Sequence, residues 1–367
     1  MKSRICHITT VHNRYDDRIF LKECISLTKE YEVFLVVADG KGNEIKENVN
    51  IIDIGLRQSS RLKRAKIDSK KALNKAKELN CELYHFHDPE LLTITAKLKK
   101  RSKKVIYDVH EDLPRQIYGK PYLSRLAKPI LSHSIEFYEN RIAKKTDYIF
   151  TATPFIRKRF EKLNKQCIDI NNYPILTENT TTPDYSSREN SICYVGGLAE
   201  SRGVFELIDS LRYSQIKLHL AGNFDDDEFK KKCMQSQGWK YVNYHGFVSR
   251  KAVAEILNRS KIGMVSLHPL VNYLDSLPVK MFEYMLAEIP VIASNFPYWI
   301  KIIDDNKCGI NINPLDAKEI AKAVEKLLND DDQAKQMGKS GRKAVISKFN
   351  WLIEEKKMLK IYQSLLK

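Results

Sequence analysis

The chain has 367 residues, 43% of them hydrophobic and 29% charged, with a formal net charge of +16. That length has room for two domains with their own cores, and no apolar run approaches the ~18 residues of a membrane-spanning helix. Seven scattered cysteines without a CxxC pair argue against a disulfide frame or a cysteine zinc site, and no signal-peptide pattern opens the chain, so the expected location is the cytoplasm.

Much of the positive excess lies in two blocks, Arg61, Lys63, Arg64, Lys66, Lys70 and Lys71, then Lys97, Lys99, Lys100, Arg101, Lys103 and Lys104. Such blocks are commonly solvated helix faces. Their functional reading is attraction to an anionic membrane surface, which would place the protein peripherally at the inner face of the cell membrane. Nucleic acid is the competing polyanion, but the blocks contain no zinc-finger spacing, no aromatic RNA-binding motif and no helix-turn-helix, so no nucleic-acid partner is expected.

In chain order, RICHITT at 4–10 reads as a strand, 19–29 as a helix and EVFLVVA at 32–38 as a buried strand, which is a βαβ opening. In such folds ligands collect at the carboxyl ends of strands, so the loop at 10–18, with His12 and Arg18, is expected to face a cleft. Two later strands end in His87-Asp88-Pro89-Glu90 and His110-Glu111-Asp112, each delivering a histidine and a carboxylate at equivalent places. Helical spacing runs over 122–144, and DYIFTA at 147–152 closes this half. Residues 171–188, rich in Asn, Thr, Ser and Pro, read as a linker.

The second half begins again with SICYV at 191–195, followed by Gly196-Gly197 and Arg202-Gly203 before a helix. A strand, a glycine pair, a basic residue and a helix start make a phosphate-binding turn, in which glycine admits a close backbone approach and arginine supplies a donor fork. Further strands are read at 217–221, 242–245 and 262–266. The richest stretch is DSLPVKMFEYMLAEIPVIAS at 275–294. Ser276 is expected as the N-cap and Pro278 within the first turn; Met281, Phe282, Met285 and Leu286 form an apolar face, with Lys280 and Glu283 on the other side. Lys280 at a helix N-terminus suits a phosphate, and Glu283 one turn on suits the vicinal diol of a ribose. The remainder is helical. Both halves therefore read as doubly wound α/β domains.

The succession of HDPE, HED, YVGGLAESRG, LAGN, HGFVS and DSLPVKMFEYMLAEIPVIAS resembles the GT-B glycosyltransferases, of the retaining family 4 type that builds bacterial surface polysaccharides. The resemblance implies two Rossmann-like domains facing across a cleft: an acceptor domain at 1–175, a linker at 176–190, a donor domain at 191–349, and a final helix at 350–367 packing back on the first domain. It implies catalytic roles for His87, Asp275 and Glu283, with Asp275 facing donor-sugar hydroxyls and Glu283 holding the ribose. Donor binding would fall to Gly196, Gly197, Arg202, Phe247, Val248, Ser276, Lys280 and Glu283, and the acceptor side to His12, Arg18, His110 and Glu111. Ser276 and Pro278 stand where the family usually has glycines, and the N-terminal loop lacks its usual glycine pair, so the sugar-facing wall is expected from Thr10, His12 and Arg18.

The implied activity is metal-independent transfer of a hexose from a UDP- or GDP-linked donor to a growing, lipid-linked surface glycan with retention of configuration, without a cofactor. Arg202, Lys280 and the helix N-terminus would stabilise the leaving diphosphate. Two other readings stand beside it: a nucleotide-sugar epimerase on the same fold, and a basic membrane- or nucleic-acid-binding module without chemistry.

Overall fold

The computed structural model describes residues 2–99, 103–119, 123–178 and 182–367. It divides into two compact units, Met1–Asn172 with Trp351–Lys367, and Tyr173–Asn350. The basic residues Lys100 and Arg101, position 122 and positions 179–181 of the expected linker lie outside the described residues.

The first unit carries β1 (Arg4–Ile8), α1 (19–27), β2 (Glu32–Val37), β3 (Glu44–Lys46), β4 (Val49–Asp53), α2 (61–79), β5 (Leu83–Phe86), α3 (Leu92–Lys99), β6 (Lys104–Val109), α4 (Ala127–Ala143), β7 (Tyr148–Thr151), α5 (Pro154–Phe160) and β8 (Cys167–Asp169), with the last helix Trp351–Leu366. The strands form one sheet in the order β3-β4-β2-β1-β5-β6-β7-β8, parallel throughout except for β3 against β4. β1, β2, β5 and β6 read as near-continuous apolar runs because helices cover both faces of such a sheet. The order reverses between β1 and β5, so the loops after Ile8 and Phe86 diverge there and open a crevice at the strands' carboxyl ends.

The second unit repeats the plan with β9 (Glu189–Val195), α6 (Val204–Ser214), β10 (Lys217–Ala221), α7 (Asp227–Met234), β11 (Val242–Gly246), α8 (Arg250–Arg259), β12 (Ser260–Val265), α9 (Val279–Leu286), β13 (Val291–Ser294), α10 (Pro297–Asn306), β14 (Gly309–Ile312), α11 (Ala317–Leu328) and α12 (Asp331–Ser347). Its six strands are all parallel, in the order β11-β10-β9-β12-β13-β14, and the reversal falls between β9 and β12. Two apolar layers, one around Met281, Phe282, Met285 and Trp299 and one around Leu207, Ile208, Val324 and Leu327, sandwich this sheet.

The boundary falls after Asn172, short of the 176–190 expected for a linker. Tyr185 is buried, and Arg188 donates to the carbonyls of Leu257, Ser260 and Ala287, so the described part of that stretch is anchored in the second unit. The final helix belongs to the first unit, where Trp351 Nε1 donates to Ser26 Oγ at 2.9 Å and Tyr362 is fully buried.

Candidate functional site

In the second unit the switch point holds a glycine turn and two cations. β9 ends at Val195, and Gly196 follows with φ +132°, a conformation open to glycine and strained for other residues. A Cβ there would sit 2.9 Å from Lys280 Nζ, and one on Gly197 would lie 3.6 to 4.0 Å from the Arg202 guanidinium. Gly203, at φ +66°, lets the start of α6 lie against β12, since a Cβ would meet Ser266 O at 1.8 Å. Lys280 arrives from the first turn of α9. That helix is fixed to β9 by Tyr284, whose hydroxyl accepts the Val195 N–H at 3.0 Å.

Lys280 is buried, and its ammonium has no hydrogen-bond partner; it lies 3.5 Å from the centre of the Tyr194 ring. Burial first, then the neighbouring Arg202, pull its pKa well below that of an ordinary lysine, against a smaller opposing pull from Glu283. Two like charges converging on an open glycine turn form a site whose electrostatic cost is offset by an anion. Glu283 stands one turn further along α9, 3.4 Å from Arg250 Nη2.

The other residues expected on the donor side have mixed placements. Ser276 is not the N-cap: α9 starts after Pro278, while Ser276 Oγ donates to Tyr273 O at 2.8 Å and its carbonyl accepts from Trp299 Nε1 at 2.7 Å. Lys280 is buried rather than sharing an exposed face with Glu283, because α9 packs nearly all round and Lys280 lies one turn before Tyr284 on the side facing β9. Phe247 is 81% exposed next to Gly246, which has φ +65°, whereas Val248 packs on the core. Asp275 is half-buried in the turn preceding α9. Asp226 caps α7 by accepting the Phe229 N–H.

The first unit's switch point gathers histidines and acids. Register places His7 beside His85, and on the same face follow His87 and, from β6, Asp108. Arg18 of the preceding loop donates to both Asp108 oxygens at 3.0 and 2.8 Å and to Ile170 O, and contacts Glu23 at 3.1 Å. Arg18, expected on a sugar-facing wall, is buried: its guanidinium needs all of these acceptors, and they hold it in the interior. Thr10 is buried too, its N–H and hydroxyl both donating to Asp88.

His87, expected near the reacting sugar, lies inside the first unit. Its side chain has no exposed surface, Nε2 lies 2.9 Å from His7 and Nδ1 lies 3.3 Å from Asp108. Burial draws its pKa down to about 4 despite the Asp108 carboxylate, and lowers His7 and His85 more strongly, so these imidazoles are neutral. Asp108 stays ionised against its burial through Arg18 and His110. In front of this cluster lie the half-buried His110, 3.0 Å from Asp108, and His12, held by Asp16 at 3.3 Å and Asp88 at 3.6 Å. Glu111 is exposed and accepts from Gln116. Sequence reading missed Glu23, His7, His85, Asp108 and Tyr362; polar residues at inward positions of apolar strands were the available signal for three of them.

Comparison with known proteins fits this geometry. Residues 182–344 match the family described as glycosyl transferases group 1. The match covers most of the second unit, including the glycine turn and α9. The capsular polysaccharide biosynthesis glycosyltransferase CapM of Staphylococcus aureus is 25% identical over 182 residues, 48% of this chain and 46% of CapM. The chain spans about half the length of the curated relatives it matches first. Among solved structures, sucrose-phosphate synthase of Thermosynechococcus elongatus superposes with a TM-score of 0.81 at 16% identity, covering 100% of this chain and 99% of that one. Anabaena HepE, solved with UDP-glucose, gives 0.74 at 13% identity over 98% and 99%. The fold is that of these enzymes, two Rossmann-like α/β domains of the GT-B type.

Proposed function

We propose that this protein is a retaining glycosyltransferase of the family 4 type that moves a hexose from a nucleoside diphosphate sugar, UDP- or GDP-linked, to a hydroxyl of a growing lipid-linked surface glycan. One observation carries the reading: the buried, unpartnered Lys280 ammonium beside Gly196, with the Arg202 fork at Gly197. As the glycosidic bond breaks, negative charge develops on the diphosphate; preplaced cations in a water-poor site stabilise that charge without reorganising. Glu283 accepts the ribose hydroxyls and Asp275 faces the donor sugar. His12 and His110 are the acceptor-side imidazoles that reach the surface of the first unit. The protein's own cations meet the diphosphate, so donor binding requires no divalent ion.

HepE, solved with UDP-glucose, supports a nucleotide-sugar donor, and the name of CapM supports a capsule-type product. For a peripheral position at the inner membrane face, the support is Lys63, Lys66, Lys70 and Lys71 on α2, with Leu126, Ile130 and Phe137 exposed along one side of α4. No described helix is long and apolar enough to cross a membrane.

The test is a thermal-shift screen against UDP, GDP, ADP, CMP and dTDP in the presence of EDTA. A nucleotide at 100 times its dissociation constant stabilises the fold by about 2.7 kcal/mol. A selective shift by one diphosphate is expected, followed by transfer from the matching sugar nucleotide. Absence of a shift with all five would sink the donor reading.

A further inference from the structure

The histidine cluster of the first unit has a feature that packing alone leaves unexplained. His7, Glu23, His85 and His87, all without exposed side-chain surface, bring one donor atom each to within 4.8 Å of one another. Neither Glu23 oxygen accepts a hydrogen bond of good geometry, and His85 Nε2 has no partner. Leaving such groups buried and unsatisfied destabilises the fold, more so when they are charged. Glu23 and Asp108 also share the single guanidinium of Arg18.

Distances inside the cluster match ligation. His7 Nδ1 is 2.9 Å from His87 Nε2, and Glu23 Oε2 is 3.8 and 3.9 Å from these two atoms. A point in the plane of that triangle lies about 2.1 Å from all three atoms, the length of a zinc bond to nitrogen or carboxylate oxygen, and a tetrahedral ion needs the two nitrogens to part to about 3.3 Å. The remaining nitrogens are placed as ligating histidines require. His7 Nε2 lies 3.0 Å and His85 Nδ1 2.6 Å from the Tyr362 hydroxyl oxygen, while His87 Nδ1 lies 3.3 Å from Asp108. Each ring can thus turn its N–H outward to an oxygen acceptor and its lone pair inward. Arg18 holds the second Glu23 oxygen. Read instead as a hydrogen bond, the 2.9 Å contact uses one His7 N–H, leaves Glu23 to Arg18 and Asp108, and still leaves His85 Nε2 without a hydrogen bond.

We propose that His7, Glu23, His85 and His87 hold a Zn²⁺ ion in a closed, structural site of the first unit. Three neutral imidazoles and one carboxylate are a nitrogen and oxygen set that suits tetrahedral zinc. The ion ties β1, β5 and α1 together beneath the crevice, and through Tyr362 it orients the last helix. It makes His87 a ligand and leaves His12 and His110 to face the surface. This site stands independently of what the second unit binds.

Metal analysis of the full, untagged chain purified without chelator is expected to find close to one zinc per chain. Because the site forms only on folding, protein refolded from denaturant with chelator should melt at a lower temperature than protein refolded with Zn²⁺. Tyr362→Phe, which removes an orienting partner, should weaken zinc affinity roughly 10–100-fold. Glu23→Gln should lower zinc content; should that variant fail to fold, wild-type chain refolded with Co²⁺ must display the intense visible bands of four-coordinate cobalt. Only traces of metal together with equal melting with and without zinc overturn the proposal, as does a pale six-coordinate cobalt spectrum or stoichiometric zinc that Glu23→Gln leaves unchanged.

Discussion

Lys280 is a lysine whose charge the fold neither pairs nor exposes, and that makes it readable by titration. Its pKa is lowered in the folded chain, so between that lowered value and its ordinary range near 10.5 the folded state holds fewer protons than the unfolded state. Stability contributed at this position therefore rises with pH through the window. A bound diphosphate favours the ammonium and reverses the shift. Within that window and above the ~6 of a terminal phosphate, UDP binding should take up a proton, and the calorimetric enthalpy should vary with the ionisation enthalpy of the buffer. Lys280→Met should abolish that dependence. Removing either cation, by Lys280→Met or Arg202→Met, should weaken UDP by about 10- to 150-fold, from the roughly 1.5–3 kcal/mol of a hydrogen bond to a charged group. An unchanged dissociation constant would remove the residue from the site.

At the scale of elements, the two switch points are held by buried polar ties. Arg18 connects the loop before α1 to β6 through Asp108 and to Ile170 through its carbonyl. Arg18→Met leaves the Asp108 carboxylate short of its main partner, so urea denaturation should report a loss of about 3–5 kcal/mol. In the second unit Tyr284→Phe should cost about 1–3 kcal/mol by orphaning the Val195 N–H, and should weaken UDP because α9 carries Lys280. Some elements were not legible along the chain. The β3–β4 hairpin turns on Glu47 and Asn48, both at positive φ without a glycine, so no turn signal stood out. Short β8 offers only three residues. α9 is buried on nearly all sides, so Lys280 lies inside although its spacing sets it opposite the apolar residues.

For the molecule as a whole, two units with separate cores should melt as two transitions, which makes a single unfolding free energy ill-defined. Scanning calorimetry with UDP should raise only one of them. Deleting 351–367 removes Tyr362 and Trp351 from the first unit, so it should lower the other transition and leave UDP binding intact. The +16 charge belongs to this scale as well. Sedimentation with anionic vesicles should fall sharply between low salt and ~0.5 M, where screening is reduced to a few Å; binding that ignores salt would refute a membrane role.

Taken alone, the chain determined the alternation of strand and helix, the two doubly wound halves, and the glycine turn and Lys280–Glu283 pair as candidates, because periodicity, glycine pairs and residue spacing are local properties. Only the tertiary structure decided that Arg18 and His87 lie inside, that Lys280 is buried over Tyr194, and that His7, Glu23, His85, His87 and Tyr362 meet. Those residues are brought together by register between parallel strands and by a helix more than 250 positions away. Their spacing along the chain carries no trace of that meeting, since ligand geometry across a sheet is set by strand order and not by sequence distance.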